Sequence, residues 1–317
     1  AFKNMTKLVT VTFADEISLA EISTGTFYNN TALKTVITKE NKANDIVTIP
    51  GTVTTLGDYV FFNILSAVEV VLPAQIETIG KAILGGAGNV THLTTPFIGD
   101  QKYGICEYEP TYDSEKTVFG YFFGAEEEYA LYDESIRSSF QSVLQRYGSA
   151  ESMEKSYYIP TALQNVSITH TQVVHYGTFY NVAGLEHVVL PEELLSIEAY
   201  AFYNARDLKT VFFGEDNTAS SLTEIGASAF EDAVSLTHFN SNSATSEVSI
   251  PSLVKTLNDK AFMNCNSIEA VIIPATVGTD DGLVGAYVFA GCDRLSTIEI
   301  HNHWIGAHMF DNEDNFP

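Results

Sequence analysis

A phenylalanine returns along this 317-residue chain at one point of a local pattern: Phe2, Phe27, Phe61, Phe179, Phe202, Phe230, Phe262, Phe289 and Phe310, with Leu84 filling one further slot. Consecutive anchors lie 21 to 34 residues apart, and the shorter gaps cluster near 23. A period of that size constrains the fold more than any local propensity, because a unit this short cannot bury its own apolar face. Stacked units bury a continuous core instead, which is the logic of a solenoid.

Other columns align on the anchor. Five residues before it stand Ile22, Leu56, Ile79, Val174, Ile197, Ile225, Leu257, Val284 and Ile305. The next residue is often glycine (Gly57, Gly80, Gly226, Gly285, Gly306), which tolerates φ > 0 and close backbone approach at a corner between coils. Six residues after the anchor a run with the spacing L-x-x-V-x-I opens, as in Leu185-Glu-His-Val-Val-Leu190. Its period of two marks a strand with Val188 and Leu190 inward and His187 and Val189 outward. Proline closes several of these runs, at Pro73, Pro96, Pro191 and Pro274, because it cannot donate a ladder hydrogen bond. The longer repeats hold polar fillers, 39–45, 215–221 and 240–247, which read as loops that leave the register intact.

Segments such as Ile197-Glu-Ala-Tyr-Ala-Phe-Tyr-Asn-Ala and Leu257-Asn-Asp-Lys-Ala-Phe-Met-Asn-Cys265 resemble the BspA-type, or Treponema pallidum-type, leucine-rich repeat. The resemblance covers most of the chain outside roughly 99–156. It implies a right-handed superhelix of the α/β repeat-solenoid class, with a parallel β-sheet on the concave side and short turns or single helical turns on the other. It also implies secreted or surface-attached proteins of host-associated bacteria that serve adhesion and protein binding rather than catalysis. The chain departs from the family pattern where Leu84 replaces phenylalanine. It departs again where Asn30, Ile64, Ala87, Val182, Ala205 and Ala233 stand at a position often held by cysteine. Both read as packing variations.

On these columns the chain divides into N-terminal repeats at 1–98, an insertion at 99–156 and C-terminal repeats at 157–317. It begins at Ala1-Phe2 and stops seven residues after Phe310, inside repeats at both ends, so the ends read as cuts from a longer polypeptide or as processed or engineered boundaries. The insertion contains Phe119-Gly-Tyr-Phe-Phe-Gly124 and the acidic run Glu126–Glu128. A helix is expected near 134–147, capped by Asp133 and presenting Ile136, Phe140, Val143, Leu144 and Tyr147 on one face. Such a face should dock on the solenoid. Structural elaboration is the plain reading of this segment, and a role in ligand contact is the alternative.

With 40 acidic against 16 basic residues the formal charge is −24, opposite in sign to what a nucleic-acid or anionic-membrane surface needs. It favours solubility and cationic partners. No run of about 18 apolar residues offers a membrane helix. Cys265 and Cys292 share one repeat position and read as small buried hydrophobes, not as a disulfide, while Cys106 lies outside the repeat without a catalytic partner. No P-loop, G-x-S-x-G elbow, H-E-x-x-H or Rossmann glycine set occurs, so no catalytic residue, cofactor or metal is expected. His301, His303, His308, Asp311 and Glu313 read as a solvated tail, and the acidic runs at 126–128 and 280–281 lack the alternating oxygen ligands of a Ca²⁺ loop.

Candidate binding residues are therefore the outward strand positions: Glu69, Val71, His92, His187, Val189, Thr210, Phe212, His238 and Ile272. Val71, Val189, Phe212 and Ile272 would form an apolar stripe, although β-propensity alone also places branched residues there. The three histidines are not on adjacent rungs, which argues against a shared metal. The expected product is a monomeric extracellular or surface-attached protein that binds a protein or glycoprotein. A structural stalk presenting another domain is the second reading, and a hydrolase with its site where the insertion meets the solenoid is a third.

Overall fold

The structure is a computed structural model that describes residues 2–102, 114–150, 152–214, 216–217, 219–302, 305–306 and 308–311. The chain forms two compact units. The first takes in 1–102, 114–145 and 150–170, and the second 146–149 and the chain from Thr171 onward.

In the first unit the run at Thr35–Ile37 pairs with Thr10–Thr12, and parallel strands Ile46–Thr48, Glu69–Val71, His92–Thr95 and Asn165–Ile168 pair in that order. In the second unit His187–Leu190, Thr210–Phe213, His238–Phe239, Glu247–Ser249, Ala270–Ile273 and Thr297–Ile300 do the same. Alternate residues are buried along His187–Leu190, Thr210–Phe213 and Ala270–Ile273, so Val188 and Leu190 are inside and His187 and Val189 half-buried, as the pattern requires, whereas Thr297–Ile300 has no buried residue. The aliphatic column before the anchor makes a second parallel ladder. It runs through Glu21–Ile22, Thr55–Leu56 and Thr78–Ile79 in the first unit, and through Val173–Val174, Ser196–Ile197, Glu224–Ile225 and Thr256–Leu257 in the second.

Between the two ladders lies the phenylalanine spine. Phe2, Phe27 and Phe61 stack with centroids 5.6 and 5.5 Å apart. In the second unit Phe179, Phe202, Phe230, Phe262, Phe289 and Phe310 stack at 4.9 to 5.6 Å, every pair within 13° of parallel. Each spine amide also donates to the carbonyl just before the next coil's anchor, as from Phe202 to Ala229 and from Phe230 to Ala261, both at 2.7 Å. The rings thus sit between two satisfied backbone columns, which fixes their spacing at the coil repeat.

The corner glycines act through close approach and not through φ > 0. A Cβ on Gly226 would lie 2.5 Å from the Ala199 nitrogen, and one on Gly285 would lie 2.3 Å from the Asn258 carbonyl carbon. Left-handed backbone falls elsewhere, two residues either side of the anchor. The earlier position holds Gly25, Tyr59, Ala82, Gly177, Tyr200, Ser228, Lys260, Tyr287 and His308. The later one holds Asn4, Asn29, Asn63, Gly86, Asn181, Asn204, Asp232, Asn264 and Gly291, residues suited to that conformation. Their side chains form a ladder of their own, with Asn204 donating to Asn181 at 2.7 Å and Asn63 to Asn29 at 2.8 Å.

Two expectations are corrected. Two long repeats contain a further strand: Ile46–Thr48 follows the first polar filler, and Glu247–Ser249 lies between His238 and Ala270. The helix expected near 134–147 is a 3-10 helix at Glu134–Ser139 followed by a strand at Phe140–Arg146, which pairs with Glu154–Pro160. Asp133 does cap the 3-10 turn, accepting from the Ser135 amide at 2.9 Å. Beyond it the chain alternates, so Val143 and Gln145 are buried while Leu144 is exposed, and neighbours grouped on one helical face point apart. Cys265 and Cys292 are free and buried, donating to the carbonyls of Phe230 and Phe262. Cys106, His303 and Glu313 lie outside the described residues.

Within the first unit, part of the expected insertion continues the stack. Ala82 and Leu84 donate to the carbonyls of Tyr121 and Phe122, and Ile79 donates to that of Asp100. Phe122 and Phe123 are fully buried. Another part of it packs on the turn side, where Tyr132, Ile136 and Phe140 join Phe62 and Ala82 in one apolar cluster. Gly85, Gly88 and Gly120 clear the space: a Cβ on Gly120 would sit 2.2 Å from the Tyr157 ring. Lys81 and Tyr59 reach Glu128 at 3.0 and 3.1 Å, and Asn63 donates to the Leu131 carbonyl at 3.2 Å.

Candidate functional site

In the strands up to Ala270–Ile273 the inward half is committed to the core, so the outward half carries whatever surface chemistry the sheet has. In the first unit the register sets Ile46, Glu69, His92 and Asn165 side by side as one column, and Thr48, Val71, Thr94 and Ser167 as the next. Glu69 and Val71 are half-buried and His92 is exposed, with its Nδ1 2.8 Å from the Thr91 hydroxyl. The docked segment's contacts named above involve Tyr59, Phe62, Asn63, Lys81 and Ala82, none of which belongs to these strands.

In the second unit the first column reads His187, Thr210, His238, Glu247, Ala270 and Thr297. His187 Nδ1 lies 2.9 Å from the Thr210 hydroxyl and its Nε2 3.8 Å from Glu186, whose carboxylate pairs with Lys209 at 2.5 Å. His238 contacts the Thr237 hydroxyl at 3.0 Å and the Ser243 carbonyl at 3.2 Å. These rings are held by neighbours of their own coil or the next. Among the described residues no group of three or more His, Cys, Asp or Glu is placed to hold a metal ion.

The second column brings Val189 and Phe212 together on adjacent rungs. Ile272 is not beside them. At the His238 coil Asn240 turns out of the strand with φ 51° and donates to the Ser249 carbonyl, and Ser249 itself is the rung next to Ile272. In this unit the expected apolar stripe is therefore a pair plus a separate residue, because the rung contributed by Glu247–Ser249 is polar, and Val71 stands in the first unit between Thr48 and Thr94.

A concavity of about 380 Å³ lies in the first unit where the docked segment meets the coils. It is lined by Lys81, Tyr121, Glu126, Glu127, Glu128, Lys155 and neighbours. Glu128 is buried there. Burial raises its pKa, but the bonds from Lys81, the Ala125 amide and Tyr59 outweigh that effect and hold the carboxyl below its ordinary range. The group is thus an internal ion-pair anchor between two segments. On the turn side of the second unit Tyr176, Tyr180, Tyr200 and Tyr203 form an aromatic cluster that the strand-based reading passed over. Its signal was present in sequence as tyrosine on either side of two consecutive anchors.

Set beside known proteins, the sequence matches the family model for the BspA type leucine rich repeat region over residues 1–47, 39–103, 151–248 and 238–316. No curated protein matches it. Among solved structures it is similar to a leucine rich cell surface protein of Faecalibacterium prausnitzii, at 20% identity over 95% of this chain and 75% of the other, with a TM-score of 0.39. It is also similar to the leucine rich repeat protein of T. pallidum, at 18% identity over 53% of this chain and 83% of that one, with a TM-score of 0.37. A leucine-rich repeat protein of Bacteroides ovatus is 21% identical over 94% and 74% of the two chains, with a TM-score of 0.30.

Proposed function

The chain belongs to the BspA-type leucine-rich-repeat family, and from that premise we propose that it is a non-catalytic surface or secreted protein whose sheet face binds another protein. The observation that carries this reading is the outward half of the strands. Glu69 beside His92, His187–Thr210–His238, and the Val189–Phe212 pair stand on regular rungs, half-buried or exposed. Val189 and Phe212 supply apolar area and the flanking polar columns supply a rim, the composition of a protein-binding patch. An extracellular or cell-surface setting agrees with the F. prausnitzii neighbour's being a cell surface protein. In this reading 1–98 and 157–317 present the face, 99–156 is an insertion that braces the turn side, and the protein acts as a monomer.

The test is binding of the purified chain to an array of extracellular-matrix proteins and glycoproteins, beside a variant carrying Val189→Ser and Phe212→Ser. Both side chains point away from the core, so the variant should keep its melting temperature within a few degrees and lose at least tenfold in affinity for any ligand found. A ligand bound equally by both would refute the sheet-face assignment. Absence of any ligand would favour a spacer that presents another domain.

A further inference from the structure

Two aromatic columns run along the turn side, one two residues before the anchor and one just after it. In the first unit both carry their own cations. Lys3 Nζ lies 4.4 Å from the centre of the Tyr28 ring, and Lys81 Nζ lies 5.4 Å from that of Tyr59. Lys81 completes the arrangement with a carboxylate, Glu128, at 3.0 Å. An ammonium over a tyrosine face, at Lys81 neutralised by a glutamate, is therefore what occupies these positions where the fold fills them.

In the second unit the same columns hold Tyr200 before the anchor and Tyr180 and Tyr203 after it, joined by Tyr176. Tyr180 and Tyr203 stack at 4.9 Å, while Tyr200 lies 5.5 Å from Tyr203 and 5.4 Å from Tyr176. All four are half-buried. The column continues from Tyr203 into Glu231, with Asp232 next to it, and Glu198 accepts the Tyr176 amide at 2.7 Å on the other side. Burial, followed by the charges of Asp232 and Glu231, pushes the Tyr203 hydroxyl up to about 12, so the phenol stays neutral and adds no charge of its own. Among the described residues no lysine or arginine lies over Tyr200 or Tyr203, and no basic side chain pairs with the Glu231 carboxylate.

We propose that Tyr180, Tyr200 and Tyr203, with Glu231 and Asp232, form a docking surface for a lysine-bearing segment of another protein. Its ammonium groups take the place that Lys3 and Lys81 take in the first unit. Charge complementarity selects this occupant: a chain of net charge −24 repels a second copy of itself and attracts a basic partner. The surface is on the turn side and is independent of the sheet-face reading.

The experiment is fluorescence anisotropy of a short labelled peptide of alternating lysine and glycine, titrated with the whole chain, beside the same peptide acetylated on every lysine. Variants are Tyr200→Leu with Tyr203→Leu, Glu231→Gln with Asp232→Asn, and, as a charge-matched control in the insertion, Glu126→Gln with Glu127→Gln. Asparagine suits the left-handed backbone at 232, as it does at the equivalent Asn204 and Asn264. The first two variants should each weaken binding about tenfold, the acetylated peptide should not bind, and neither the control nor the Val189→Ser, Phe212→Ser variant should change the affinity. The polar pair keeps the test decisive if the tyrosine pair unfolds. Failure of the parent chain to bind, equal binding of the acetylated peptide, or an equal loss in the control would overturn the proposal.

Discussion

Replacing Phe230 by alanine removes a ring that is wholly buried, stacked on Phe202 at 4.9 Å and on Phe262 at 5.0 Å, and met edge-on by Phe239 at 5.3 Å. Truncating a buried phenylalanine costs roughly 3–5 kcal/mol through lost burial and the cavity left behind. Each aromatic pair adds about 0.5–1.5 kcal/mol beyond its area. With three such pairs the loss belongs at the upper end, about 4–5 kcal/mol. Phe2 provides the contrast, being 44% exposed with a single stacked neighbour, so Phe2→Ala should cost about 1 kcal/mol. Phe230→Leu should fall between them at about 1–2 kcal/mol, since Leu84 fills the same column with no exposure. Urea unfolding gives the totals, and hydrogen exchange gives the location. Because each coil touches only its neighbours, the Phe202 and Phe230 amides should lose protection while the Phe27 amide, bonded to Val60 in the first unit, keeps it. A loss below about 1 kcal/mol for Phe230→Ala, or protection falling evenly in both units, would refute the spine as the source of local stability.

The remaining predictions concern backbone and charge. Gly226→Ala would push a Cβ to 2.5 Å from the Ala199 nitrogen and the Glu198 carbonyl carbon, backbone that cannot yield, so the coil should open by several kcal/mol, read as a drop in melting temperature. Asn204→Ala loses the bond to Asn181 and forces alanine into φ 54°, together about 1.5–3 kcal/mol, while Asn204→Gly should recover the conformational part; equal losses would refute it. Glu128 is held below its ordinary value of 4.5, so its contribution is complete above that value and is lost as pH falls through the lowered one. Exchange protection at the Tyr129 amide should fall across that window, and Glu128→Gln should flatten the dependence.

The expected strands and the insertion show where sequence reasoning reaches and where it stops. Val188, Leu190 and Phe202 announce their burial because a repeated column and a period of two are one-dimensional signals, and the fold only stacks them. Asn4, Asn29, Asn63, Asn181, Asn204 and Asn264 share one offset from the anchor and were equally legible, but their meaning is a dihedral angle and not a hydrophobic period. Phe140, Val143 and Leu144 misled, since a short apolar group fits a helical face or a strand equally well until its partner is known. That partner, Glu154–Pro160, is distant in sequence from what either one packs against. The strand at Glu247–Ser249 hid in a polar run for a related reason: only Val248 is inward, and one apolar residue makes no pattern.

By itself, then, the sequence determined the repeat, the spine, the strand faces and the family, because each coil obeys the same local rule and repetition makes the rule visible. The tertiary structure alone decided which rungs are neighbours, hence that Val189 meets Phe212 and not Ile272. It also decided that Lys3 lies over Tyr28 and Lys81 over Tyr59. Those outcomes depend on the distance between side chains from different coils, and on whether another segment arrives to cover them, which no single repeat encodes.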